Sequence, residues 1–204
     1  MALDYEEPQF RISDNSEIFL FQGLHFDVVP SLFDENLNPE EFENPSKFVI
    51  EIATRKVMEV SERLKHNGQD YDIIIGADTI VYMEGKIYGK PKNKEDAVNM
   101  LKAFSGKSHN VYSGVCVSSK NKTEPISFSE DTKVYFGDIP EEVIRCYVNS
   151  GEPLDKAGAY GIQSKGGTLV EKIEGDYFNV VGLPLHRLCK ILLELQIDLI
   201  AAEK

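Results

Sequence analysis

Cysteine is scarce in this sequence, and its three copies form no recognisable pattern. Cys116, Cys146 and Cys189 are far apart, odd in number, and include no CxxC pair. These features argue against both a disulfide framework and a zinc site. They indicate a reducing compartment, and we expect the protein to be cytoplasmic.

Basic residues are too few to balance the acidic ones. The chain has 22 lysines and arginines against 34 aspartates and glutamates, which gives a net charge of −12. A chain this acidic is poorly suited to broad contact with nucleic acids or anionic membranes. We therefore expect neither a nucleic-acid polymer nor a membrane as partner, and a phosphate ligand would need a local group of cations or a metal ion.

Long apolar runs and the familiar catalytic motifs are missing too. No stretch approaches the roughly 18 apolar residues of a membrane-spanning helix, and the start, MALDYEEPQF, lacks an apolar signal core. The sequence contains no phosphate loop of the type GxxxxGKS or GxxxxGKT, no GxGxxG, no HExxH and no GxSxG. The 204 residues, of which 42% are hydrophobic, suffice for a full core, so we expect one domain over residues 1–204.

Helical and strand patterns alternate along the chain, which predicts an α/β or mixed α+β fold. Asn44 with Pro45, and Asn93 with Asp96, are typical helix starts. The predicted helices cover residues 14–23, 45–65, 93–106, 140–149 and 184–196, and the predicted strands cover 24–30, 71–78, 109–117, 126–136 and 168–173.

Three charged residues stand in unusual places. Asp78 comes directly after an apolar strand, where an acid either caps a turn or, at the carboxyl end of a strand, holds a metal or deprotonates water. Lys56 falls within the apolar stripe of a predicted helix, so it either extends past its neighbours to water or points into a cleft. Lys90 precedes Pro91, which presents it more rigidly than a free surface lysine, although a solvated basic turn fits as well.

A glycine-rich segment, GEPLDKAGAYGIQSKGG, occupies residues 151–167. It combines Asp155, Lys156, Tyr160 and Gln163 with five glycines. Glycines permit close approach of the backbone to a ligand, and they serve an exposed surface loop equally well.

Six segments together resemble the Maf family of nucleoside triphosphate pyrophosphatases. They are FDVVPS, ATRKVMEV, GADTIV, GKPKNKEDAVNMLKAFSGKSHNVYSGV, GEPLDKAGAYGIQSKGG and GDYFNVVGLPL, in the family's order and spacing over about residues 23–195. The likeness is greatest to the Maf-like domain of eukaryotic acetylserotonin methyltransferase-like proteins, here expected without the methyltransferase domain. It implies a Maf/ITPase-like fold with a central mixed sheet and a deep cleft between two lobes, often as a homodimer.

The resemblance also implies a reaction and roles in it. The reaction is hydrolysis of a nucleoside triphosphate to the monophosphate and pyrophosphate with a divalent cation, Mg²⁺ or Mn²⁺. Asp78 matches the proposed general base, and Lys56 and Lys90 match lysines that face the phosphates. Glu35 matches an acid of the cleft and, with Asp78, is a metal ligand by resemblance.

The resemblance also assigns two positions to recognition of the nucleotide base. Thr79 and Gln163 match the branch of the family that prefers dTTP and UTP over 7-methyl-GTP. The amide of Gln163 can donate and accept at once, which suits the O4 and N3–H edge shared by thymine and uracil.

One family motif is replaced at the N-terminus. Where the family has a Ser-x-Ser-Pro-Arg-Arg turn for phosphate, this chain has FRISDN at residues 10–15, and residues 1–22 are divergent. Each lost charge-assisted contact to phosphate would cost roughly 1.5 to 3 kcal/mol. The first hypothesis is therefore a nucleotide pyrophosphatase of reduced activity, and the alternative is a catalytically impaired nucleotide-binding or regulatory protein, such as a splice variant, linked to cell-division control.

Overall fold

The computed structural model describes residues 10–12 and 26–195 of the chain. Its strands are β1 (Phe10–Ile12), β2 (Phe26–Val28), β3 (Ile73–Met83), β4 (Lys86–Tyr88), β5 (Ser108–Ser119), β6 (Ile126–Phe136) and β7 (Val170–Glu174). Its α-helices are α1 (Pro45–His66), α2 (Lys94–Phe104), α3 (Glu141–Asn149), α4 (Tyr177–Val181) and α5 (Leu185–Glu194). None of the described helices is long and apolar enough to cross a membrane.

One mixed sheet forms the centre of the molecule, which confirms the predicted mixed α+β class. The strand order is β2-β1-β3-β5-β6-β7, and β4 folds back on β3. β1 runs parallel to both β2 and β3, whereas β3, β5, β6 and β7 pair antiparallel. The long antiparallel strands therefore provide the scaffold, and the three-residue β1 joins β2 to it.

The strand that carries Asp78 continues past it. β3 extends to Met83, and Asp78 lies opposite Gly114 of β5 in the middle of the ladder. The prediction that this strand ends at residue 78 is therefore wrong. Extended structure continues because residues 79–82 are β-branched or aromatic and β5 pairs with them throughout.

Helix α1 packs directly on one face of the sheet. The side chain of Asn44 caps the helix by accepting a hydrogen bond from the amide of Lys47, and Pro45 fits the first turn. The buried stripe of α1 contacts Ile74, Ile80 and Cys116 of β3 and β5. The approach is very close at Gly114, since a Cβ there would lie 2.4 Å from the carbonyl carbon and oxygen of Val49.

The opposite face of the sheet carries two apolar clusters. Leucines of α5 cover Ile73 and Ile75, at one end of β3. Helices α2 and α3 cover Val81 and Met83, at its other end. This division of the core is consistent with the predicted two-lobed form.

Most predicted elements lie where the sequence placed them, within a few residues at each end. The helix predicted over residues 14–23 lies outside the described residues. The predictions missed β1, β4 and α4. They treated residues 151–167 as a loop, where the structure has short 3-10 turns at Glu152–Asp155, Ala157–Ala159 and Lys165–Leu169.

Candidate functional site

Lys56 joins two carboxylates beside the sheet. Its Nζ lies 3.0 Å from Oδ1 of Asp78 and 3.0 Å from Oε1 of Glu35. The Lys56 side chain is 6% exposed and that of Asp78 12%, whereas Glu35 is 52% exposed. The predicted base, one predicted phosphate-binding lysine and the predicted metal ligand therefore meet in one cluster, which reaches solvent at Glu35.

The elements that hold this cluster are α1, β3 and the segment of residues 30–35. Val49, Ile52, Ala53, Val57 and Val60 of α1 are buried, so the helix face that includes Lys56 is turned toward β3. Asp78 lies on the same sheet face as Ile74 and Ile80, because side chains alternate along a strand. Lys56 thus meets Asp78 because both lie at the contact between helix and sheet.

The segment that carries Glu35 is tied back to α1. Glu59 accepts hydrogen bonds from Ser31 Oγ and from the amide of Leu32, and Arg63 donates to the carbonyl of Pro30. Hydrogen bonds from Arg63 lower the pKa of Glu59, although burial opposes this. These contacts hold the chain along the helix and place Glu35 beside Lys56.

The electrostatic balance keeps Lys56 charged. Burial by itself would lower the pKa of Lys56, but the carboxylates of Asp78 and Glu35 outweigh it, and the pKa is raised above its usual value. The cluster is therefore one cation between two acids. Such an arrangement can fix the orientation of Asp78, and because the cluster is net negative, a phosphate would approach it most favourably together with a divalent cation.

The two carboxylates are suited to a hard divalent cation. Because each lies 3.0 Å from the same nitrogen, their nearer oxygens are within about 6 Å of each other. Over residues 10–12 and 26–195, no group of three or more His, Cys, Asp or Glu side chains is arranged to hold a metal. Mg²⁺ is usually bound by one or two carboxylates together with substrate phosphates, so Glu35 and Asp78 fit that mode better than an all-protein site.

Thr79 lies apart from this cluster. Because it is next to Asp78 in β3, it faces the other side of the sheet. Its hydroxyl is 2.8 Å from Ser113 Oγ and 3.5 Å from the carbonyl oxygen of Gly182. The structure thus separates Thr79 from Asp78, and its contact with substrate stays a prediction.

A buried polar network, which the sequence did not reveal, surrounds Thr79. Asn179 of α4 is fully buried and donates to the carbonyl of Val111 and to Thr132 Oγ1. Ser113 donates to the carbonyl of Asn179, and Thr132 bonds with the backbone of Asp176 at the start of α4. The network fixes α4 over β5 and β6, and its only signal in the sequence is the polar Asn179 within the apolar stretch FNVVGLPL.

Lys90 lies next to the glycine-rich segment. The amide of Gly158 donates a 3.0 Å hydrogen bond to the carbonyl of Gly89, the residue before Lys90. Gly158 has a φ of 66°, and a Cβ there would lie 2.5 Å from Val81 Cγ2, so both space and backbone conformation require glycine. Lys90 and Gln163 are both exposed, as residues that contact a ligand must be before it binds.

The divergent N-terminal segment contributes β1 to the sheet. Arg11 pairs with Ile74 on one side and with Asp27 on the other, and its guanidinium forms an ion pair with the Asp27 carboxylate. Residues 13–15, which stand where the resemblance places Pro-Arg-Arg, lie outside the described residues.

Comparison with known proteins assigns this sequence to a family. The family model for Maf-like protein matches residues 16–195, which is most of the chain. The chain belongs to the Maf family. The matched region includes Glu35, Lys56, Asp78, Lys90 and Gln163.

Named relatives of this Maf protein share nearly half of their aligned residues with it. A human protein, "Probable bifunctional dTTP/UTP pyrophosphatase/methyltransferase protein", is 47% identical over 186 residues, covering 88% of this chain and 30% of the human protein. Proteins named dTTP/UTP pyrophosphatase from Bacillus thuringiensis subsp. konkukian and Caldicellulosiruptor saccharolyticus are each 44% identical, covering 89% of this chain and 91% and 89% of theirs. The chain thus spans under a third of the human relative and nearly all of the bacterial ones.

Proposed function

We propose that this Maf protein is a nucleotide pyrophosphatase that hydrolyses dTTP and UTP to the monophosphate and pyrophosphate. The observation that carries the proposal is the cluster of Lys56, Asp78 and Glu35, in which a cation lies between two carboxylates at hydrogen-bond distance. The proposal is also supported by the sequence identity of 44% to 47% with relatives whose names include dTTP/UTP pyrophosphatase.

Asp78 is the proposed general base. Lys56 holds Oδ1 of Asp78 from the side of the helix and keeps the carboxylate in a fixed orientation. A carboxylate so placed can accept the proton of a water molecule that attacks the α-phosphorus. Lys56 and Lys90 are the proposed cations that would stabilise the negative charge developing on the phosphate oxygens.

Glu35 and Asp78 are the proposed ligands of Mg²⁺ or Mn²⁺, together with phosphate oxygens. The bound cation would supply Lewis-acid stabilisation of charge on the phosphates. Exposure of Glu35 leaves one side of the pair open to a nucleotide, in agreement with this role.

Gln163 is the proposed contact to the base. It is exposed, and its amide can donate to O4 and accept from N3–H of thymine or uracil. Cytosine presents an amino donor and an N3 acceptor instead, so an amide in this orientation favours thymine and uracil over cytosine. The homodimer and the cytoplasmic location also remain proposals from the resemblance and the composition.

The test is pyrophosphate release from dTTP, UTP, CTP and GTP, with Mg²⁺ or Mn²⁺, by wild type and Asp78→Asn. We expect dTTP and UTP to be preferred and Asp78→Asn to lower kcat by about 10² to 10⁴, the usual contribution of general acid–base catalysis. Asp131→Asn is the matched control, since Asp131 is an exposed acid on β6, which β5 separates from β3, and it should keep wild-type activity.

Two outcomes contradict the proposal. Equal activity of wild type and Asp78→Asn removes Asp78 from the reaction. A wild type that binds nucleotide, measured by calorimetry, without releasing pyrophosphate supports the alternative of an impaired nucleotide-binding protein.

A further inference from the structure

A second cluster, outside the Lys56 site, centres on the carboxylate of Glu152. Its Oε1 accepts hydrogen bonds from Tyr147 Oη at 3.0 Å, Ser164 Oγ at 3.0 Å and the amide of Gly166 at 3.1 Å. Its Oε2 accepts from the amide of Lys165 at 3.3 Å. One carboxylate, in the 3-10 turn that follows α3, thus holds three consecutive residues of the glycine-rich segment.

Tyr147 of α3 completes the hold from the other side. Its hydroxyl donates to Glu152 and accepts a hydrogen bond from the amide of Gly161 at 3.2 Å. Burial raises the pKa of Tyr147, so the hydroxyl keeps the proton that it donates. The segment of residues 161–166 is therefore fastened at its first residue by Tyr147 and at its last three by Glu152.

Gln163 lies between these two fastenings. The backbone around it is packed tightly, because a Cβ on Gly166 would lie 2.5 Å from the Tyr147 hydroxyl and one on Gly167 would lie 2.5 Å from the carbonyl of Ile162. Gln163 Oε1 itself lies 3.6 Å from the position that a Cβ would take on Gly161. We call residues 161–166 the arch. The exposed amide of Gln163 lies in the middle of this arch, and hydrogen bonds to the Tyr147–Glu152 pair hold both of its ends.

The charge of Glu152 matters for this arrangement. Burial would raise the pKa of Glu152, but the hydrogen bonds from Gly166, Tyr147 and Ser164 outweigh burial, and the pKa lies below its usual value. An ionised carboxylate accepts at both oxygens. A glutamine in its place has one accepting oxygen, and its NH₂ group would face donors.

We propose that Glu152, acting with Tyr147, is a positioning residue for pyrimidine recognition: it fixes the arch of residues 161–166 so that Gln163 meets the base in one orientation. This inference rests on the proposed function, since it names what sets the specificity of that same site. Preorganised contacts improve affinity by removing the cost of ordering a loop on binding.

The experiment compares Glu152→Gln, Tyr147→Phe and Ser164→Ala with the control Glu142→Gln. Glu142 is an exposed acid on α3, and among the described residues it forms no hydrogen bond to the arch. Hydrogen exchange of the amides of residues 161–167 is the first readout, and we expect it to become more than about tenfold faster in Glu152→Gln and unchanged in the control. Ser164→Ala, which removes a single hydrogen bond to Glu152, should have a smaller effect. This variant still tests the inference if the other two fold poorly.

The second readout is binding and turnover of nucleotides. The Kd of a non-hydrolysable α,β-imido dUTP, measured by calorimetry, should rise about tenfold in Glu152→Gln, as expected for the loss of hydrogen bonds to a charged group. The preference for this probe over the matching cytidine analogue should fall, and kcat for dTTP at saturation should change less than threefold. In a Gln163→Ala background, Glu152→Gln should have no further effect on the preference.

Faster exchange in the arch with unchanged affinity and preference would overturn the inference, and so would unchanged exchange. Failure of the proposed function gives a different result, namely a wild type that releases no pyrophosphate from any triphosphate. The exchange and calorimetry readouts still decide the role of Glu152 in that case.

Discussion

Gly114→Ala should damage both the stability and the activity of the protein. Gly114 lies opposite Asp78 in the ladder, on the face where α1 packs. A Cβ at this position would lie 2.4 Å from the carbonyl carbon and oxygen of Val49 and 2.7 Å from the amide nitrogen of Ile50, whereas ordinary contacts begin at 3.4 Å. The colliding atoms belong to the helix backbone, so no side chain can rotate away, and α1 must move by about 1 Å.

The size of the effect follows from this displacement. Overpacking a core costs typically 1 to 3 kcal/mol, and a collision with backbone belongs at the upper end. Replacing a strand glycine by alanine also raises the free energy of unfolding by roughly 0.5 to 1 kcal/mol, because alanine loses less backbone entropy on folding. We therefore expect the free energy of unfolding to fall by about 2 kcal/mol, and Tm to fall by about 4 to 8 °C for a chain of this length.

Activity should fall further than this loss of stability explains. The displaced helix carries Lys56, whose ammonium lies 3.0 Å from Asp78. Misplacement of a catalytic group by about 1 Å can cost on the order of a hundredfold in rate. Pyrophosphate release at a temperature where the variant is fully folded should therefore be about 10² lower than in wild type.

Gly137→Ala is the matched control for this prediction. No atom lies within 4 Å of the position of its Cβ, and its φ is not positive. We expect its free energy of unfolding, from urea titration, to stay within about 1 kcal/mol of the wild-type value, and its activity to be unchanged. Equal effects in the two variants, or full activity in a stable Gly114→Ala protein, would refute the argument from helix contact.

Three further predictions concern stability. Burial lowers the pKa of His109 to about 4, from 6.5 in the unfolded chain, so the unfolded state binds the extra proton first. Urea titrations at pH 7.5 and pH 4 should therefore show that wild type loses about 3 kcal/mol more stability than His109→Gln. Leu188→Ala should lower the free energy of unfolding by about 2 to 5 kcal/mol, because Leu188 is 1% exposed. Leu193 of the same helix is 56% exposed, so Leu193→Ala should lower it by under about 1 kcal/mol. Equal losses would contradict the assigned core. Glu84 has a φ of 51° in the turn between β3 and β4, so Glu84→Gly should raise the free energy of unfolding by about 0.5 to 1 kcal/mol, and a loss would show that its ion pair with Lys107 outweighs the backbone strain.

Elements with strong local signals were predicted correctly. Helix α1 begins at Asn44 and Pro45 because the cap and the fixed φ of proline act within one turn. Helix α4 was missed because it has five residues and depends on the cap of Asp176, the positive φ of Gly182 and hydrogen bonds to distant strands. β4 was missed for a similar reason, since three residues form a strand there only by pairing with β3.

The site was predictable in part. Lys56 is unusual in the sequence as a charge within an apolar stripe, and the structure places it between two carboxylates, while its contact with phosphate stays a prediction. The position of Asp78 within β3 was predicted wrongly, because Gly76 and Ala77 resemble a strand end while pairing with β5 overrides them. The roles of Asn179 and Glu152 could not be seen, since their hydrogen bonds join residues that are far apart in sequence or depend on the fold of a glycine-rich segment.

The alternation of Asp78 and Thr79 across the sheet has a consequence for how this sequence can change over time. Insertion or deletion of one residue between Ile75 and Asp78 would exchange the two faces of the remainder of β3 and turn the carboxylate toward the apolar cores. The turn between β5 and β6, residues 120–125, is exposed over most of its length and carries no such constraint. Members of the family should therefore differ in length at that turn, while the spacing from the start of β3 to its acid is inherited unchanged.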